Sequence, residues 1–114
     1  MIKSIIAYTH VLVCVVLLYL FPVEAATLGN VKAGQVYAKA QCAQCHSIVP
    51  DGNTSPNASA PPFQAIADTK GMTRTALFVF FRSPHATMPN LIVRGDDLDN
   101  IIDYMLSLKS STAR

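Results

Sequence analysis

Along most of the chain, apolar residues recur every three or four positions, the spacing of one face of an α-helix. Ala33, Val36, Tyr37 and Ala40 keep that spacing after Asn30, a residue type that caps helix N-termini. They predict a first helix over residues 31–44. Gly34 lies inside it at a cost of about 1 kcal/mol relative to alanine, so the glycine is either tolerated or required by a closely crossing helix. Residues 50–60 are dense in Pro, Gly, Asn and Ser and predict a polar loop. A short helical turn is expected over residues 62–67, with Pro62 at its first position. Thr73 caps a third helix running to Arg82, which Ser83-Pro84 stops. Its centre, Leu77 to Phe81, is apolar on every side, so the pattern alone also admits a buried strand. In the last helix Leu98, Ile101, Ile102, Met105 and Leu108 form a continuous stripe. Asp96 and Asp97 sit in its first turn, where the helix dipole favours negative charge, and Lys109 stands at its far end. The expected fold class is all-α, three longer helices plus a short one, with no internal repeat.

One stretch departs from this pattern. Ile5 to Phe21 holds almost nothing polar except Tyr8, Thr9, His10 and Tyr19; Lys3 precedes it and Val23-Glu24-Ala25 follows. A basic start, an apolar run and small residues at −3 and −1 predict a secretory signal peptide over residues 1–25, leaving residues 26–114 as one domain. An uncleaved membrane anchor is the alternative, although roughly 17 apolar residues are at the short end of a bilayer span. Cys14 lacks the small preceding residue that lipid anchoring requires and reads as an apolar passenger. About 89 mature residues leave a thin surplus of buried area, so a large apolar cofactor would help to hold the fold. Lys32, Lys39, Lys70, Arg74, Arg82, Arg94, Lys109 and Arg114 face six aspartates and are scattered along the chain, which gives no sign of nucleic-acid binding.

The chemistry concentrates at Cys42-Ala43-Gln44-Cys45-His46. Cys-x-x-Cys-His is the spacing of c-type haem attachment. Two thiols on one side of a helical turn reach two vinyl groups on one porphyrin edge, and His46 is then carried under the ring to bind the iron. Export agrees with this, since an oxidising compartment does not leave Cys42 and Cys45 as free thiols. Two other readings stand beside it. A thioredoxin-like dithiol needs a βαβ context, for which no strands are predicted. A structural zinc site needs four ligands, for which only Cys42, Cys45, His46 and His85 are on hand.

A low-spin electron carrier needs a second axial ligand. Met105 falls on the apolar stripe and reads as core, and Met72 falls just before the Thr73 cap, near the surface. Met88 lies in an irregular stretch between Pro84 and Pro89, which can hold a side chain rigidly toward the iron. Met88 is therefore the expected ligand, with His85 in reserve. A thioether favours ferrous iron and raises the reduction potential relative to a second histidine.

Together these residues resemble the class I c-type cytochrome family, in particular small bacterial members with one haem. The resemblance spans residues 29–109. Gly34 and Tyr37, with Ile101 and Tyr104, resemble the family's crossing pair of terminal helices, which would explain Gly34. Ala60-Pro61-Pro62-Phe63 resembles the segment whose proline carbonyl accepts a hydrogen bond from the proximal histidine, giving Pro61 the role of orienting His46. Residues 83–90 resemble the methionine loop. The resemblance implies one covalent haem c, iron held by His46 and Met88, and a location in the periplasm. There are departures. Phe80 stands where related sequences often carry a tryptophan near a haem propionate, leaving Arg74 or Arg82 to balance the propionates. The lysine ring of mitochondrial members is also absent. The implied docking surface centres on apolar residues, including Pro89 and Leu91 to Val93, with Lys39, Arg82 and Arg94 at the rim. Leu91 to Val93 read equally well as core.

The expected function is a one-electron carrier, not an enzyme, exchanging with exported or membrane redox proteins, and touching a membrane only if the N-terminal segment is retained. The alternatives are a dedicated cytochrome subunit of a periplasmic oxidoreductase and a small haem peroxidase or gas-binding protein with an open sixth site.

Overall fold

The computed structural model describes residues 10, 28–52, 54–85, 87–88 and 92–113. The expected signal peptide over residues 1–25 lies outside these, His10 apart, as do Pro89 and Leu91. Among the described residues the chain is all-α: α1 (Val31–Gln41), α2 (Phe63–Asp68), α3 (Arg74–Arg82) and α4 (Asp96–Ser107), closed by a 3-10 turn, Ser111–Ala113. No described helix is long and apolar enough to cross a membrane.

Helix α1 starts where its cap requires. The Asn30 side chain accepts from the Ala33 N–H at 3.0 Å, and the Asn30 N–H is itself held by Asn100 Oδ1 of α4 at 2.6 Å. The helix ends at Gln41, three residues before the expected end. The Cys42 and Ala43 N–H groups both bond to the Ala38 carbonyl, and the chain tightens into turns. The inward face also differs from the one expected. Val36 is 65% exposed, while Gly34 and Ala38 are buried. The reason is close approach: a Cβ at Gly34 would lie 2.0 Å from the Asn100 carbonyl oxygen and 2.7 Å from Tyr104 Cβ. The small residues of α1 set how closely it approaches α4, and the crossing forms along Gly34, Ala38 and the half-buried Tyr37.

Helix α2 begins at Phe63, with Pro62 as its cap and not its first residue. The apolar run at 77–81 is helical. Thr73 Oγ1 accepts from the Ala76 N–H at 3.2 Å and sets α3 going. Its face is clear in three dimensions: Leu77 is 1% exposed, whereas Phe78, Val79 and Phe80 face outward. Arg74 fastens α3 to α4 through Asp99 and Asp103, both at 2.7 Å. In α4, Leu98, Ile101, Ile102, Tyr104 and Met105 are buried, and Leu108 follows as the C-cap. Gly95 starts this helix at φ 57° and ψ −142°, a conformation essentially confined to glycine. The core is one cluster that joins α4 to Ala38, Cys42, Phe63, Leu77 and Val93.

Candidate functional site

After α1 the chain makes a tight turn. The N–H groups of Cys45 and His46 both bond to the Cys42 carbonyl, at 3.1 and 2.9 Å. This fold-back puts the two cysteines and the histidine on a single turn at the end of a packed helix. Cys42 and Cys45 are not joined to each other by a disulfide. Cys42 is built into the core and 8% exposed, and burial raises its pKa to about 11. Cys45 and His46 are half-buried at the edge.

The His46 ring is fixed from two sides. Nδ1–H donates to the Pro61 carbonyl at 2.7 Å, and the ring lies 5.3 Å from the buried Phe63 ring at 50°. Donation from Nδ1 leaves Nε2 as the basic nitrogen, turned to neither partner. The polar loop before Pro61 is fastened to the same turn. Ser55 Oγ accepts from the Ser47 N–H at 3.0 Å, the Asn57 N–H donates to the Cys45 carbonyl at 3.1 Å, and the Phe63 N–H donates to the Ser47 carbonyl at 2.9 Å. From α4, the Tyr104 hydroxyl donates to the Ile48 carbonyl at 2.6 Å. The roles of Ser55 and Tyr104 are absent from the sequence reading. A serine in a polar loop and a tyrosine on an apolar stripe carry no local mark of the carbonyl or amide they will meet.

Met88 is not in hydrogen-bond or ring contact with this turn. It lines a cleft of about 730 Å³ between the end of α3 and the segment leading into α4, together with Phe81, Arg82, His85, Val93 and Arg94. Cleft and core adjoin: Val93 belongs to the buried cluster that contains Cys42, and Phe81 packs against it. His85, the reserve ligand, packs against Phe80 with ring centroids 3.6 Å apart and planes tilted by 45°. Met105 is core at 2% exposure. Met72, expected near the surface, instead packs half-buried against the core, where its carbonyl accepts from Lys109 Nζ at 3.3 Å. Arg74 is committed to its two aspartates and is withdrawn as a partner for propionates. The stretch read as either docking surface or core divides, with Ile92 66% exposed and Val93 2% exposed.

Two thiols and a tethered imidazole thus share one turn, and the Met88 thioether lines the adjoining cleft. Among the described residues no group of three or more His, Cys, Asp or Glu side chains is placed to hold a metal ion. No family model matches the chain, and neither a curated protein nor a solved structure matches it.

Proposed function

We propose that the chain is a one-electron carrier of the class I cytochrome c kind, exported to the periplasm and holding one haem c through thioethers at Cys42 and Cys45. Bound there, a haem supplies an iron that takes up and releases single electrons. His46 is the proximal ligand through Nε2. The Pro61 carbonyl keeps the imidazole from turning and, by accepting its Nδ1 proton, makes Nε2 a better donor. Met88 would be the second protein ligand to the iron, and its soft, neutral sulfur would favour the ferrous state. With His46 and Met88 both holding the iron, no position on it would be open to a substrate, and the chain would carry electrons without catalysing a reaction. Its four helices, with α1 and α4 crossing at Gly34, go with the class I arrangement. The partners are redox proteins, and exposed Ile92 flanked by Arg82 and Arg94 suits a brief, weak contact with them.

The observation that carries this reading is the 2.7 Å hydrogen bond from His46 to Pro61 within a Cys-x-x-Cys-His turn. Dithiol exchange needs an accessible thiolate, whereas Cys42 is 8% exposed and burial raises its pKa to about 11. The test is Met88→Ala in the matured protein. The near-infrared band of sulfur-ligated ferric haem should vanish and the reduction potential should fall. A variant with unchanged spectrum and potential overturns Met88 ligation and the carrier built on it.

A further inference from the structure

The cations of the described chain are not equivalent. Arg74 is bridged to Asp99 and Asp103. Arg82 and Arg94 have no carboxylate partner among the described residues, and both line the Met88 cleft. Arg82 leans over the Phe78 ring one turn earlier, 5.5 Å from its centroid. That contact steadies the side chain through a face of the guanidinium and leaves its five N–H donors unspent. Phe81 and Val93 give the same cleft an apolar floor joined to the core. Apolar walls with two unspent guanidinium groups suit a flat apolar ligand that carries carboxylates at one edge.

We propose that Arg82 and Arg94 form the carboxylate grip of this cleft and pair with the two propionates of the bound haem. This rests on the haem reading above and deepens it. Guanidinium groups match carboxylates as a planar fork, giving geometry as well as charge. The pairing has two consequences. It fixes which edge of the porphyrin meets the end of α3. It also sets the reduction potential, because an uncompensated carboxylate near the iron stabilises the ferric state and a compensated one does so less. The grip is thus built from arginines on either side of the methionine loop, one ending α3 and one preceding Gly95 and α4.

The test uses matured, haem-loaded protein carrying Arg82→Gln, Arg94→Gln or both, with Arg82→Lys and Arg94→Lys as charge-keeping partners. Each glutamine variant should lower the potential enough to change the ferric-to-ferrous ratio at fixed ambient potential by at least threefold, the double variant by more, and each lysine variant by less. Spectra should still show sulfur ligation, since Met88 is untouched. Potentials within experimental error of wild type in all haem-loaded glutamine variants overturn the grip and leave the haem reading standing. Glutamine variants that fail to fold overturn it too, since the arginines would then serve the chain's own packing. Wild-type protein without covalent haem overturns the reading beneath it.

Discussion

The Tyr104 hydroxyl joins the last helix to the segment just after His46 by donating to the Ile48 carbonyl at 2.6 Å. Burial raises its pKa above the ordinary 10.0, more than the opposing hydrogen bond from Gln35 lowers it. Tyr37, on the facing helix, is raised as well, chiefly by burial. A phenol that keeps its proton longer when folded contributes stability that is intact below its ordinary pKa. That stability is lost as pH rises through the raised folded value, because the unfolded chain ionises first. Guanidinium unfolding of the matured protein should therefore give midpoints that hold steady from pH 8 to 9 and fall above 10. Tyr104→Phe should reduce the fall without abolishing it, since Tyr37 remains. A variant whose midpoint falls just as steeply would show that Tyr104 takes no part. Nothing in the sequence marks this bond. The tyrosine sits on a stripe whose burial is readable, but its hydroxyl meets a carbonyl 56 residues away in the chain.

At the scale of elements, the crossing of α1 and α4 is decided by space. Gly34→Ala puts a methyl group 2.0 Å from the Asn100 carbonyl oxygen, a backbone atom that cannot swing aside. Alanine's better helix propensity recovers about 1 kcal/mol, but overpacking against a backbone atom belongs at the upper end of the usual cost of about 1–3 kcal/mol, so the helices must part. The expected net loss is about 1 kcal/mol or more in chemical unfolding; an unchanged or raised midpoint would contradict the close crossing. This also explains what the sequence left unread. The α4 stripe was legible because its large residues repeat strictly, from Leu98 to Met105. The inward face of α1 was legible only in part: the resemblance put Gly34 and Tyr37 at the crossing, but apolar weight at Val36 and Ala40 favours the other side, and Ala38 carried no mark of its burial. The run at Leu77 to Phe81 has no polar residue to mark an outer face. Its helical form follows from the Thr73 cap, and its inward side from Arg74, which ties the first turn to Asp99 and Asp103.

At the scale of the whole molecule, the helices form one core that includes Cys42 and opens through Phe81 and Val93 onto the Met88 cleft. The thiol motif was plain in the sequence because its chemistry demands fixed spacing. The anchoring of its surroundings was not, since Ser47, Ser55, Asn57 and Phe63 are brought together by loop closure. So small a domain would gain much from covalent attachment of a large apolar group such as the proposed haem. The central claim is that attachment, and intact mass of the matured protein, taken with its visible spectrum, tests it most directly. The expected result is a red protein whose mass equals polypeptide plus one haem and does not change on acid extraction, with Cys42→Ala and Cys45→Ala each weakening that retention. A colourless protein whose mass is that of the polypeptide alone would contradict the account.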